Sequence, residues 1–228
     1  MSLRASLIQR LIPTRHASWK AFADRMGGEF RANRFWRSDE VVSRLGDWTV
    51  HLDTVMLDPE SGVPKPGTSW STRRGTQVWA NFTSIDGFRF ASRDQQWLHR
   101  NPFRLEWDID PGRLVDAVRG RLGAEDVQVG VPEFDDRFTV KTNDPDKLKV
   151  VLDASIVDQV LRRGDLAEIR IAAPEPGDGF VAQPATLIIW ERQFLVDPEQ
   201  LLDLHELIVG LLDRLARLGS AAPASEVA

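Results

Sequence analysis

The last long segment of the chain limits the possible folds more than any other feature of the sequence. Between residues 198 and 217, large apolar side chains recur at intervals of three and four, the spacing of one helix face. They are Leu201, Leu204, Ile208, Leu211, Leu212 and Leu215. This stripe is wider than a coiled-coil seam and needs a broad apolar surface to cover it. The sequence therefore predicts a long C-terminal helix that packs on a β-sheet of its own chain.

Alternating apolar and polar residues predict the strands of that sheet. The segments are residues 48–56, 77–82, 103–109, 138–142, 166–172 and 186–190. The run 187–190 is apolar throughout and indicates a central strand buried on both faces. Asp86-Gly87 lies between two alternating segments and is a hairpin signal. The Pro- and Gly-rich stretches 58–71 and 173–184 are expected to be long hairpin loops.

Three Asp-Pro pairs predict helix starts, because Asp is a good N-cap and Pro fits the first helical position. The pairs begin at Asp110, Asp144 and Asp197. The helix after Asp144 is expected to break near residue 155. Before the strands, helical spacing indicates a helix over residues 1–15 and a second one that Gly27-Gly28 ends.

Together these patterns predict an α+β fold, with a mainly antiparallel sheet, N-terminal helices and a long C-terminal helix packed on the sheet. The predicted organisation is an N-terminal helix over 1–15, one α+β domain over 16–218, and a flexible tail over 219–228. Two intimately packed halves that meet near residue 110 remain an alternative. No apolar run approaches the ~20 residues that span a bilayer, and the N-terminus lacks the features of a secretory signal.

Several chemistries are excluded or disfavoured by residue content. The chain of 228 residues contains no cysteine and no tyrosine, which excludes disulfides, thiolate metal sites and cysteine nucleophiles. No phosphate-binding loop, dinucleotide fingerprint, zinc-protease motif or serine-hydrolase elbow occurs. The four histidines lie far apart: His16, His51, His99 and His205. His205-Glu206 begins like a zinc-protease motif, but residue 209 is Val, so a surface or helix-flank histidine is expected.

Two groups of carboxylates could form a metal or catalytic site or could have a structural role. Glu106, Asp108 and Asp110 recur at every second residue and could offer oxygen ligands to a hard cation. The interpretation favoured here is a polar strand face followed by a helix cap. In the cluster 133–136, acidic residues flank Phe134, and a turn with a packed phenylalanine is favoured over catalysis. The sequence predicts no catalytic residue, no metal site and no cofactor.

Charge and tryptophan content supply the binding candidates. Residues 1–104 hold 16 Lys+Arg against 10 Asp+Glu, and residues 105–228 hold 13 against 24. The positive charges are scattered, so we expect contact between opposite faces or copies rather than a nucleic-acid arm. Seven of the eight tryptophans precede residue 108. Arginine beside exposed tryptophan can form a contact surface, and the candidate binding residues are Trp70, Arg73, Arg74, Trp79 and Trp97.

The order of a short motif at 134–140 and the elements around it resembles that of a known protein family. The stretch Phe-Asp-Asp-Arg-Phe-Thr-Val at 134–140 is followed by Asn143-Asp144 and a Leu-rich helix, with Asp86-Gly87-Phe88 upstream. Over about residues 17–218 this order is similar to that of a family of uncharacterised bacterial domains with a Leu-rich C-terminal helix. The resemblance implies α+β folding in a bacterial protein. It implies no activity and no site residue, and many such proteins carry membrane-spanning segments before the domain.

These observations favour a non-enzymatic binding or protein-interaction module in the cytoplasm. The expected partner is another protein or a second copy of the chain in a homodimer, not nucleic acid. One alternative is a metal-dependent hydrolase whose site gathers dispersed carboxylates. Another is a peripheral membrane protein that uses the apolar face of residues 3–11, although one short amphipathic helix binds a membrane surface only marginally.

Overall fold

The computed structural model describes residues 16–32, 39–57, 73–95, 127–172 and 182–224. Within these ranges, nine strands form one sheet, which five helices accompany, so the α+β prediction is confirmed. The strands are β1 (Glu29–Arg31), β2 (Glu40–Leu45), β3 (Trp48–Leu57), β4 (Arg73–Ser84), β5 (Phe90–Asp94), β6 (Phe138–Thr142), β7 (Leu166–Ala172), β8 (Gln183–Glu191) and β9 (Ala221–Pro223). The helices are α1 (16–26), α2 (Pro132–Arg137), α3 (Pro145–Val151), α4 (Ala154–Leu161) and α5 (Pro198–Arg217).

All the strand pairs are antiparallel, in the order β1-β2-β3-β4-β8-β7-β5-β6, with β9 beside β4. The pairs β3–β4 and β7–β8 confirm the two expected hairpins, whose loops lie outside the described residues. β8 is central, as predicted, between β4 and β7. Ile188 on β8 is only half-buried, so this strand is not buried on both faces along its whole length.

The C-terminal helix forms the centre of the core. α5 contacts β3, β4, β8 and β9 and also packs against α3 and α4. All six residues of the predicted stripe are buried, which confirms that the helix covers the sheet of its own chain. Leu207 and Val209 are buried in addition, so the buried surface of the helix extends beyond the predicted stripe.

Side-chain caps start the helices where the Asp-Pro pairs predicted them. The Asp144 carboxylate accepts a hydrogen bond from Lys147 N at 3.0 Å, and Asp197 accepts one from Glu199 N at 3.0 Å. Between α3 and α4 the helix breaks at Asp153, whose carboxylate caps α4 by accepting from Ile156 N at 3.0 Å. The expected break near residue 155 is therefore confirmed. The pair at Asp110 lies outside the described residues.

The hairpin predicted at Asp86-Gly87 is wrong, although the turn itself forms. The Asp86 carboxylate accepts a hydrogen bond from Phe88 N at 2.9 Å, and Gly87 has a φ of 69°. Asn143 then holds the turn, since its amide donates to Gly87 O and its oxygen accepts from Arg89 N. β5 does not pair with β4, because β8 and β7 lie between them in the sheet. The two strands are therefore three strand spacings apart, or about 14 Å.

The prediction of a flexible tail over 219–228 is wrong for residues 221–223, which form a strand. Residues 221–223 form β9, which pairs with β4 at Phe82–Ser84, beyond the last partner of β3. Ser220 is buried and donates its hydroxyl hydrogen to Asp86 at 2.7 Å, which fixes the entry to this strand. Residues 225–228 lie outside the described part of the chain, as does the helix predicted over 1–15. In the described ranges, no helix combines the length and apolar character needed to cross a membrane.

Candidate functional site

A cavity of about 470 Å³ opens where the end of β8 meets α4 and the start of α5. Its volume lies in the range of small-molecule pockets, about 300–1,000 Å³. The walls come from the end of α4, the turn between α4 and β7, the end of β8 with its following loop, and the first turns of α5. The lining residues are Gln159, Arg162, Arg163, Gly164, Asp165, Glu191, Gln193, Leu195, Gln200, Asp203 and Glu206.

The floor of the cavity holds a buried ion pair. Glu191 at the end of β8 is bonded to the Arg163 guanidinium, and their side chains are 3% and 11% exposed. Arg163 also donates to Gln200 O at 3.0 Å, which ties the turn after α4 to the first turn of α5. Burial raises the pKa of Glu191, while Arg163 opposes that shift and the negative charges of Asp165 and Asp203 add to it.

The rim of the cavity is acidic. Asp165, Asp203 and Glu206 are exposed, and none of the three side chains forms a hydrogen bond or ion pair with the described residues. Asp203 and Glu206 lie three residues apart on α5 and share its polar side with Gln200, opposite the leucine stripe. Arg163 is paired with Glu191, so Arg162 is the remaining positive charge among the described lining residues. The described part of the lining therefore carries an excess of negative charge.

The loop that forms one wall is anchored to the core. Leu195 is buried, its N–H donates to the Thr76 hydroxyl at 2.8 Å, and its carbonyl accepts the indole hydrogen of Trp19 at 2.9 Å. These bonds join the cavity to β4 and to α1. The wall is thus held in place by two elements that do not line the cavity.

Trp79, a predicted binding residue, lies elsewhere on the sheet. It is half-buried on β4, and its ring stacks on His51 with centroids 3.9 Å apart and an interplanar angle of 5°. Its indole donates to Asp53 Oδ2 at 3.3 Å, and His51 Nδ1 lies 2.9 Å from Glu40 Oε1. Burial raises the pKa of Asp53 to about 6. The indole N–H is therefore already used by a neighbour within the sheet.

Whether the remaining predicted binding residues lie beside Trp79 stays a prediction. Arg73 and Arg74 begin β4, in register with Leu57 and Met56 of β3. Trp70 and Trp97 lie outside the described residues. Of the five candidates, Trp79 is the one whose side chain the structure describes, and it does not line the cavity described above. The three-residue spacing of Gln200, Asp203 and Glu206 was the signal in the sequence that could have located this site.

The expectation of a surface or helix-flank position for His205 is wrong. Its side chain is fully buried on α5, with Nε2 2.7 Å from the hydroxyl of Ser43, which is itself buried. The ring of Phe22 lies edge-on at 6.0 Å, and His205 Nδ1 has no hydrogen-bond partner within the part of the chain that the structure describes. Burial lowers the pKa of His205 to about 4. A substrate has no access to this Ser–His contact, so we assign it to the core.

Of the two carboxylate clusters singled out in the sequence, the structure describes the one at 133–136. Phe134 is fully buried, as expected, but the cluster lies in helix α2 and not in the predicted turn. The Asp135 carboxylate accepts from Val129 N at 2.8 Å and from Gly130 N at 2.9 Å. Glu106, Asp108 and the strand predicted over 103–109 lie outside the described residues. Among the residues described, no group of three or more potential ligands is arranged to hold a metal ion.

Comparison with known proteins identifies no family. No family model and no curated protein matches the chain. Among solved structures, the chain is similar to the crystal structure of the mycobacterial trehalose monomycolate transport factor A, TtfA, at 10% sequence identity and a TM-score of 0.47. The match covers 92% of this chain and 98% of that chain. This similarity is too loose to transfer any property of that protein.

Proposed function

We propose that this chain is a non-enzymatic binding module that uses the cavity between β8 and α5. Its ligand carries a positively charged group, either an ammonium or a guanidinium. The observation that carries the proposal is the set of three rim carboxylates, Asp165, Asp203 and Glu206, which have no bonding partner among the described residues. They surround a concavity in which Arg163, the buried arginine among the described lining residues, is already paired with Glu191.

Electrostatics supports a cation as the recognised group. A cleft lined by one sign of charge with low-dielectric walls concentrates the field and attracts the opposite charge. A cation about 4 Å from one carboxylate at a protein surface gains at most ~4 kcal/mol before screening, and exposed pairs retain about 0.2–1 kcal/mol. Two or three rim carboxylates that act on one cation therefore provide selectivity for charge with modest affinity.

The positive group could belong to a small amine or to a Lys or Arg side chain of another protein. Both sources present positively charged N–H donors, which can bond to the rim carboxylates. The cavity of about 470 Å³ has room for a side chain or a small polyamine. The homodimer and the cytoplasmic location stay predictions. The metal-dependent hydrolase, whose site would gather dispersed carboxylates, stays a prediction. The peripheral membrane protein, which would use residues 3–11 outside the described structure, stays a prediction also.

Isothermal titration calorimetry with matched variants tests the proposal. The probes are spermidine, a Lys- and Arg-rich peptide, and succinate as an anionic control. Asp165→Asn and Asp203→Asn each remove one rim charge, whereas Asp158→Asn removes the same charge from an exposed position on α4 that does not line the cavity. We expect each rim variant to weaken binding of the cation about 2- to 5-fold, and added salt to weaken it further.

The two cationic probes distinguish the sources of the charge. Tighter binding of spermidine favours a small amine, and tighter binding of the peptide favours a partner protein. An equal loss of affinity in Asp158→Asn, or binding of succinate as tight as that of spermidine, contradicts the proposal. Robust turnover in a panel of hydrolase, phosphatase and nucleotide assays would contradict the non-enzymatic part of it.

A further inference from the structure

Behind the cavity, outside its lining, lies a network of two arginines and one aspartate. The Arg137 guanidinium, at the end of α2, donates to Leu161 O at 3.2 Å, to Arg163 O at 2.6 Å and to Gly164 O at 3.1 Å. These are carbonyls of the last turn of α4 and of the turn that follows it. A helix end leaves such carbonyls without intrahelical partners, so a guanidinium there acts as a cap.

The same network reaches the opposite wall through Asp94. The Asp94 carboxylate on β5 is 3% exposed and accepts from Arg137 Nε at 3.3 Å and from Arg192 Nη2 at 2.9 Å. Arg192 follows β8 directly, and its backbone N–H donates to Asp165 O at 3.0 Å. One buried carboxylate thus fixes both guanidiniums, and these hold the backbone on either side of the cavity.

We propose that Arg137 is a positioning residue for the cavity, acting through the turn at 162–165. The N–H groups of its guanidinium bond to backbone carbonyls of that turn. These bonds place the side chain of Arg163 at the floor of the cavity and that of Asp165 at its rim. The inference rests on the proposed function for its ligand, but the placement of the turn can be measured without any ligand. Lysine keeps the positive charge but lacks the planar guanidinium that bonds several carbonyls at once. Arg137→Lys therefore tests the hydrogen bonds separately from the charge.

Arg214 supplies a matched control. Its side chain is 17% exposed against 19% for Arg137, and it makes bonds of the same kind: to the Asp153 carboxylate at 2.8–2.9 Å and to Gly210 O at 3.0 Å. It does not line the cavity. Arg214→Lys therefore removes a similar number of guanidinium hydrogen bonds at the opposite end of α4, away from the turn at 162–165.

The first readout is amide hydrogen exchange by NMR, without ligand. Three amides report on the turn, since Arg163 N bonds to Val160 O, Leu166 N to Arg163 O, and Arg192 N to Asp165 O. We expect Arg137→Lys to speed exchange at these amides about tenfold relative to wild type, and Arg214→Lys to leave them unchanged. Equal effects of the two variants, or no effect of Arg137→Lys, would overturn the proposal.

The second readout is coupling in the affinity for spermidine. Arg137→Lys should weaken binding about 3- to 10-fold, and in that background Asp165→Asn should cost less than it does in the wild type, because its carboxylate is already displaced. In the Arg214→Lys background, Asp165→Asn should keep its full effect. Simple additivity in both backgrounds would contradict positioning. If the wild type binds no spermidine, the proposed function fails, while the exchange rates still decide the placement of the turn.

A second variant covers the case in which Arg137→Lys does not fold. Arg192→Lys leaves all contacts of Arg137 in place and removes only the guanidinium that links Asp94 to the other wall. We expect it to speed exchange at Arg192 N, which pairs with Asp165 O, with less effect at Arg163 N. Unchanged exchange at Arg192 N would show that the network does not hold the cavity walls.

Discussion

The buried histidine on α5 makes the stability of this fold depend on pH in a defined direction. His205 has a pKa lowered to about 4 by burial, from an ordinary value of 6.5. The unfolded chain therefore binds this proton between about pH 6.5 and pH 4, while the folded chain does not. The free energy of unfolding rises with pH across that window. The stability that His205 contributes is complete above about pH 6.5 and is lost as the pH falls toward 4.

The size of this effect follows from the shift in pKa. At about 1.4 kcal/mol per unit, full protonation of the imidazole in its site costs about 3 kcal/mol. That is a large part of the ~5–15 kcal/mol that stabilises a typical domain. The described residues offer the charged form no compensation, because none of them bonds to Nδ1, and Nε2 contacts the neutral hydroxyl of Ser43.

Urea denaturation of the wild type and of His205→Gln measures this contribution. The variant removes the titrating group, so the other titrating groups cancel in the difference between the two proteins. We compare the free energy of unfolding of the two proteins at each pH. Between about pH 7.5 and pH 4.5, we expect the wild type to lose about 2.5 kcal/mol of this free energy relative to the variant. A difference that stays constant with pH would refute the assignment of His205 as a neutral, buried imidazole.

Three further predictions test the packing of the fold. Gly28→Ala should destabilise the protein by about 1–3 kcal/mol, measured by urea denaturation, because the added Cβ would lie 2.6 Å from Val42 O. Asp153→Ala should cost about 1–2 kcal/mol, whereas Asp153→Asn should recover most of the loss in thermal unfolding, since it keeps the cap of α4 and removes only the ion pair with Arg214. Truncation after Leu195 removes α5 and should leave no cooperative transition by circular dichroism; a cooperatively folded product would show that α5 is detachable.

The elements themselves could be predicted from the sequence because each carries a local signal. The leucine stripe of α5 and the aspartate caps depend on spacing within one helix, and the structure follows both closely. The order of the strands carries no such signal. Asp86-Gly87 specifies a turn, but contacts of that turn with Asn143, more than fifty residues away, decide where the next strand lies.

The candidate site was harder to predict because three separate segments of the sequence build it. Its floor pairs Arg163 with Glu191, and neither residue type at either position suggests a site by itself. His205 shows the opposite problem. Its position, four residues after Leu201 and three before Ile208, is that of a buried residue on the helix stripe. Histidine is less often fully buried than the apolar residue types, but here the position on the stripe decides, and the side chain is buried.

An NMR titration with spermidine tests the central claim most directly, since it reports where a cation binds as well as whether it binds. We expect amide shifts confined to three stretches that line the cavity, residues 162–165, 191–195 and 200–206. The shifts should shrink in Asp203→Asn and persist in Asp158→Asn. Shifts centred on Trp79 and His51, or spread evenly over the surface, would contradict the assignment of this cavity as the binding site.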